Sequence, residues 1–227
     1  MNISNAVDRR WHRVSGLLVW WKSSRSDEWI ELVAVLLLAS ASLAAAWCGY
    51  QAAAWSGLQS TLYSQSASVQ KQAIDTSTQA FLFELADRQL FNDYAAAYTN
   101  DDQILMDFYQ RQFSHRLRPA VDAWIATEPL DNPAAPGTPF DLPEYIVPEK
   151  DAATSLRAKA EELFNRGTHA NEQSGEYVLN TVYLATVLFL AGISTKIKGK
   201  PARALIEAIG VILLGYGILH IVALPMS

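Results

Sequence analysis

The clearest polar pattern in the chain is a row of serines spaced four residues apart: Ser56, Ser60, Ser64 and Ser68. Residues with this spacing lie one above another on a helix face. No charged residue occurs between Glu31 and Lys71, so this face offers only hydroxyl and amide groups. Such a surface can hydrogen-bond across a close helix contact, or it can line a water-filled pore if several copies surround an axis. We favour the helix contact and keep the pore as the alternative.

A row of small residues with the same spacing overlaps the serines: Ala41, Ala45, Gly49, Ala53 and Gly57. Small side chains let the backbone of a second helix approach closely, which is a main source of helix association in lipid. We therefore predict that this row is a helix-packing seam. Because a four-residue spacing drifts by about 40° per step around a helix, we expect the partner helices to cross it obliquely.

Glu207 is an acidic residue inside an apolar segment, where ionisable groups are candidates for function. Arg203 precedes it by one helical turn. We interpret the two as an intramembrane ion pair that sets the depth of the helix. A proton relay along the same helix toward His220 is not expected, because no acid or histidine lies between them.

A charged stretch near residue 165 has the residue types of a metal site: Glu161, Glu162, Arg166, His169, Glu172 and Glu176. A helical metal site needs paired Glu-x-x-His elements, and the position three residues before His169 is an arginine. We interpret the stretch as a solvated helix face. Nothing in the chain resembles a nucleophile elbow, a phosphate loop or a dinucleotide fingerprint. We therefore predict no enzymatic activity, no cofactor and no metal.

Three apolar segments place these features: residues 29–50, 177–193 and 205–224. Each has about the length that crosses the hydrocarbon core of a bilayer. We predict an all-α integral membrane protein with three transmembrane helices. Residues 51–176 are predicted to form a helical extramembrane bundle that is continuous with the first and second spans.

Basic residues lie on one side of these spans. Arg9, Arg10, Arg13, Lys22 and Arg25 precede the first span, and Lys196, Lys198, Lys200 and Arg203 lie between the second and third. Since cytoplasmic loops carry an excess of Lys and Arg, we predict that residues 1–28 and the loop 194–204 are cytoplasmic. Residues 1–28 also have one apolar and one basic face, which predicts an amphipathic helix in the membrane interface.

The remaining residues 51–176 are then extracytoplasmic. They carry nine Lys or Arg against eighteen Asp or Glu, a net charge of −9. An acidic domain lacks the basic surface that nucleic acid requires, so we expect no nucleic-acid partner. We predict a location in the plasma membrane, which is the inner membrane if the chain is bacterial.

Within the outer region, residues 75–78 favour helix caps over helix interiors and predict a break in the first long helix. A following helix is predicted to kink at Pro119 and to bury six residues: Ile104, Phe108, Phe113, Leu117, Val121 and Trp124. Residues 127–149 hold six of the nine prolines and predict a structured surface loop.

These features lead to the hypothesis of a non-enzymatic membrane protein that self-associates, or joins a membrane complex, through its small-residue seam. The expected partners are the lipid bilayer and either further copies of the chain or another membrane protein. One alternative is an oligomeric channel lined by the serine row. A second alternative is an accessory or sensor subunit of a larger envelope complex.

Overall fold

The computed structural model describes the backbone of residues 4–226 and the side chains of residues 29–226. It contains five α-helices: α1 (Ser4–Thr99), α2 (Gln103–Gln110), α3 (Leu117–Ile125), α4 (Pro148–Ser194) and α5 (Lys200–Ala223), with a short 3-10 helix at Pro139–Asp141. The described residues form no strand, which confirms the predicted all-α fold. The two faces predicted for the helix of residues 1–28 lie outside the described side chains.

Three of the helices, α1, α4 and α5, are long and apolar enough to cross a membrane. Each contains one of the three apolar segments identified in the sequence. Length and composition therefore agree with three spans, while insertion itself and orientation stay predictions. The chain divides into two compact units, unit 1 (Met1–Thr61 with Arg166–Ser227) and unit 2 (Leu62–Asn165).

Unit 1 contains three packed helices. One cluster joins Leu37 and Ala41 of α1 to Val187 and Ala191 of α4, and a second joins Cys48 and Ala52 to Tyr177 and Leu184. Residues further along α1 contact residues earlier in α4, so the two helices run antiparallel here. The buried apolar residues of α1 in unit 1 are three, four or seven positions apart, which is the spacing of a coiled coil: Ala34, Leu37, Ala41, Cys48 and Ala52.

Unit 2 combines the second half of α1, the short helices α2 and α3, and the first turns of α4. Its core is a cluster of aromatic and aliphatic side chains: Phe91, Tyr94, Ala97, Met106, Phe113, Leu117, Val121 and Trp124. Phe91 contacts the rings of Trp124 and Phe140 edge-on, with centroids 5.1 and 5.5 Å apart. These contacts hold the loop between α3 and α4 against α1.

The predicted break at residues 75–78 is wrong, because α1 continues through them to Thr99. The hydroxyl of Thr78 donates to the backbone oxygen of Ile74 at 2.9 Å, inside the helix. Ser77 accepts a hydrogen bond from the guanidinium of Arg157 in α4, also at 2.9 Å. Tertiary contact with α4 thus offsets the low helix propensity of these residues.

The predicted single helix after residue 102 is also wrong, because the chain forms α2 and α3 with a non-helical segment between them. Ile104 is 82 % exposed and Phe108 is 50 % exposed, so neither lies in the core. The other four residues predicted to be buried do lie there: Phe113, Leu117, Val121 and Trp124. Ser114 ends the segment by accepting a hydrogen bond from the N–H of Leu117, at the start of α3. Pro119 then lies in the first turn of α3, where a missing N–H is tolerated and no kink is needed.

Candidate functional site

The predicted seam passes from buried to exposed along α1. Ala41 is fully buried in unit 1 and Ala45 is partly buried, whereas Gly49, Ala53 and Gly57 are exposed. A Cβ atom built on Gly49 or on Gly57 meets no atom within 4 Å. The row becomes exposed because each four-residue step rotates it by about 40° around the helix. The last three residues are therefore the part of the seam that a further helix can reach.

The exposed side of α1 in unit 1 carries a longer strip of small residues than the four-residue spacing indicated. We call it the small strip: Ala39, Ser42, Ala46, Gly49, Ala53 and Ser56. Its members alternate four and three positions apart, which keeps them on one face of a helix. A second exposed strip on the same helix is large and apolar, and it includes Leu36, Leu43, Trp47 and Tyr50. A search for this alternation in the sequence would have found the small strip.

The four serines of the predicted polar row are all exposed. Ser56 and Ser60 belong to unit 1, and Ser64 and Ser68 belong to unit 2. A helix-to-helix hydrogen bond in unit 2 comes from a different serine, Ser66, which is buried. Its hydroxyl donates to the backbone oxygen of Ala160 in α4 at 2.7 Å.

Arg203 and Glu207 lie in contact within α5. The Nε atom of Arg203 is 3.3 Å from Oε1 of Glu207, and the carboxylate is almost completely buried. Ser194, the last residue of α4, donates its hydroxyl to the same oxygen at 3.1 Å. The carboxylate thus has a cation and a hydroxyl as partners, which a buried charge requires.

A second buried polar cluster in unit 1 is centred on Asn180 of α4, a residue that sequence reasoning did not identify. Its Nδ2 atom donates to the backbone oxygen of Gly217 in α5 at 3.1 Å and lies 3.5 Å from the sulfur of Cys48 in α1. A Cβ atom on Gly217 would lie 3.4 Å from Oδ1 of Asn180. A single amide therefore contacts all three helices of unit 1, and glycine at 217 permits the close approach.

The end of α5 is held by polar contacts to the other two helices of unit 1. The backbone oxygen of Pro225 accepts hydrogen bonds from the indole of Trp55 at 3.3 Å and the hydroxyl of Tyr177 at 3.2 Å. Nε2 of His220 lies 3.7 Å from a carboxylate oxygen of Glu176. These contacts fix the position of α5 against α1 and α4.

A buried charged cluster lies in unit 2 and was not found by sequence reasoning. Asp87 of α1 is 4 % exposed, accepts a hydrogen bond from the hydroxyl of Tyr145 at 3.0 Å and lies 3.5 Å from Nε of Arg116. The guanidinium of Arg116 also lies over the ring of Phe83, 4.1 Å from its centroid. Burial, followed by the negative charge of Asp87, raises the pKa of Tyr145. The cluster joins the proline-rich loop and the segment before α3 to the buried face of α1.

The charged stretch near residue 165 contains one weak pair. His169 lies 3.8 Å from Glu172, and both side chains are about two-thirds exposed. Among the described residues, no group of three or more His, Cys, Asp or Glu side chains could hold a metal ion.

Comparison with known proteins gives no further assignment. No protein-family model, curated protein or solved structure matches the chain.

Proposed function

We propose that the chain is a non-enzymatic integral membrane protein that self-associates through the exposed side of α1. The observation that carries this proposal is the small strip, which leaves a groove-forming, uncharged surface on a helix long enough to span the membrane. In lipid, close backbone approach over small residues is a principal source of helix association. Gly49 and Ala53 lie in the second half of the small strip and also belong to the predicted seam.

The exposed side of α5 differs from the small strip and supports this interpretation. Its exposed large residues are Leu205, Ile212, Tyr216, Leu219 and Val222, and its exposed small residues Ala204, Ala208 and Gly215 are interrupted by Val211. Large apolar side chains are what a helix presents to lipid tails, and α1 presents them on its other strip. The small strip of α1 has no such interruption, which supports contact with protein at this face.

The exposed side of α1 in unit 2 is also poor in charge. From Ser64 to Ala86 it has fifteen exposed residues, of which only Lys71 and Asp75 are charged. In α4, from Pro148 to Asn165, thirteen residues are exposed and six are charged. A charge-poor surface in an acidic domain minimises repulsion between copies, which further supports contact through α1.

The test is the mass of the purified protein in mild detergent, measured by light scattering. Gly49→Leu combined with Gly57→Leu should lower the mass, because the new side chains block close approach. The matched controls are Gly215→Leu in α5 and Gly192→Leu in α4. A Cβ at these positions also meets no atom within 4 Å, so all four positions tolerate a side chain within the single chain. An unchanged mass in the α1 double variant would remove the proposal.

The pore alternative is supported by the exposure of all four serines of the polar row. It requires several copies to surround an axis with these hydroxyls facing water. Conductance across a planar bilayer would favour the pore if Ser60→Asp changed its preference between anions and cations. A complete lack of conductance would count against the pore, and helix packing would be the remaining interpretation of the serine row.

A further inference from the structure

An open groove of about 260 Å³ lies between α1 and α5 in unit 1. Its α1 wall is formed by Trp29, Ile30 and Val33, and its α5 wall by Ala204, Ala208 and Val211. Ala204 and Ala208 are one helical turn apart, so their short side chains leave space between the larger ones. The lining surface is almost wholly apolar, which suits a hydrocarbon chain and not a polar solute.

Positive charge lies at the same end of α5. Lys200 and Arg203 are in its first turn, directly before Ala204, and Lys196 and Lys198 precede them in the connecting loop. Four acids are near in the sequence of the two walls, namely Glu207 of α5 and Asp27, Glu28 and Glu31 of α1, and Lys22 and Arg25 add two cations before Trp29. Glu207 lines the groove, but it is buried and contacts Arg203 and Ser194. Counted over these segments of the sequence, six cations against four acids give a net charge of +2.

We infer that this groove binds an acidic phospholipid, with an acyl chain against Ala204 and Ala208 and the phosphate beside Lys198, Lys200 and Arg203. Basic residues at the end of an apolar space between membrane helices are the combination that selects acidic head groups. An uncharged lipid would gain the apolar contact without the charge. Free phosphate would gain the charge without the apolar contact. The inference depends on the membrane insertion in the proposed function, but not on self-association.

The test is native mass spectrometry of the detergent-purified full chain with phosphatidylglycerol or phosphatidylcholine of identical acyl chains. We expect retained phosphatidylglycerol to exceed phosphatidylcholine by on the order of tenfold. Lys198→Ser with Lys200→Ser should remove this preference. Ala208→Phe should lower retention of phosphatidylglycerol by filling the groove while leaving all charges in place.

Two matched variants serve as controls. Ile212→Phe adds an aromatic ring at an exposed position one turn further along α5, and Lys159→Ser removes an exposed lysine from unit 2. Both should retain phosphatidylglycerol as the unmodified chain does. Equal retention of the two lipids by the unmodified chain would overturn the inference. So would unchanged retention in Ala208→Phe, or an unchanged preference for phosphatidylglycerol in Lys198→Ser with Lys200→Ser.

The mass of the protein assembly is read in the same spectra, so the two proposals are separated. Loss of assembly in Gly49→Leu with Gly57→Leu, together with retained phosphatidylglycerol, would support both. Retained assembly in that variant would remove self-association through α1 and leave the lipid site supported by its own variants.

Discussion

At the scale of single residues, Asp87 is the most constrained side chain of unit 2. A buried carboxylate is stable only with good partners, and Asp87 has the guanidinium of Arg116 and the hydroxyl of Tyr145. Tyr145 also contacts the ring of Phe140. The proline-rich loop is therefore attached to α1 by one charged cluster and by aromatic packing.

Tyr145→Phe tests this attachment. We expect it to lower the free energy of unfolding by about 1.5–3 kcal/mol near neutral pH, since one hydrogen bond to a buried charge is lost. Burial and Asp87 raise the pKa of Tyr145 above its ordinary value of 10.0. Above about pH 10 the unfolded chain loses this proton while the folded chain keeps it, so the stabilising contribution is complete below pH 10 and declines as pH rises.

The free energies of both proteins are measured by denaturant unfolding at a series of pH values. The difference between the unmodified chain and Tyr145→Phe should shrink as the pH rises above about 10. A difference that stays constant into the alkaline range would contradict the role given to Tyr145.

At the scale of helices, the close approach of α1 and α4 in unit 2 depends on small buried residues. Ser66 donates to the backbone of Ala160, and Ala73, Ala80 and Ala153 are also buried. This direct contact between a side chain and a main chain brings the two helices close together at this level.

Ala160→Leu should therefore destabilise the protein by about 1–3 kcal/mol, the usual effect of overpacking. Ala158→Leu, two residues earlier on the exposed side of α4, is the control and should change stability by less than about 0.5 kcal/mol. Denaturant unfolding followed by circular dichroism measures both. Equal effects of the two substitutions would mean that α1 and α4 are not closely packed at Ala160.

The docking of α5 offers a second matched pair, Gly217→Leu and Gly215→Leu. A side chain at 217 meets Asn180 and Leu184 within 3.4 Å, whereas a side chain at 215 meets nothing within 4 Å. We expect the first variant to lower the midpoint of thermal unfolding in detergent and the second to leave it unchanged. A comparable midpoint for both variants would show that Asn180 does not hold α5 in place.

The sequence predicted helices well and their packed faces poorly, and the reason lies in periodicity. The apolar segments are long and uninterrupted, so three long helices follow from composition. The packed face of α1 follows an alternation of three and four residues, whereas the prediction followed a strict spacing of four and so drifted off that face after Ala41. The pairing of Asp87 with Arg116 shows a second limit of prediction from sequence. It depends on how α1 packs against the start of α3, and no local sequence pattern indicates that packing.

At the scale of the whole molecule, the orientation of the chain in the membrane is a prediction that two exposed residues can test. The basic loop between α4 and α5 predicts a cytoplasmic position for Lys198, and the acidic region predicts an extracytoplasmic position for Glu161. Cys48 is the only cysteine in the chain and is fully buried, so introduced cysteines can be labelled against a silent background.

A membrane-impermeant maleimide should label Glu161→Cys in intact cells and Lys198→Cys only after the membrane is opened. Both side chains are exposed, so access to the reagent depends on the side of the membrane alone. Labelling of Lys198→Cys in intact cells would contradict the predicted orientation and would mean that the acidic region faces the cytoplasm.

The pairing of α1 with α4 and α5 also has a consequence for synthesis. Cys48 meets a partner 132 residues later in the chain, and Trp55 meets one 170 residues later. At a translation rate of about 5–20 residues per second, the first helix waits on the order of ten seconds before its partners exist. During that interval α1 has neither α4 nor α5 of its own chain beside it. Neighbouring chains that are translated from the same messenger RNA could then pack their helices against each other. The rate of translation would therefore influence whether α1 packs against α4 and α5 of its own chain.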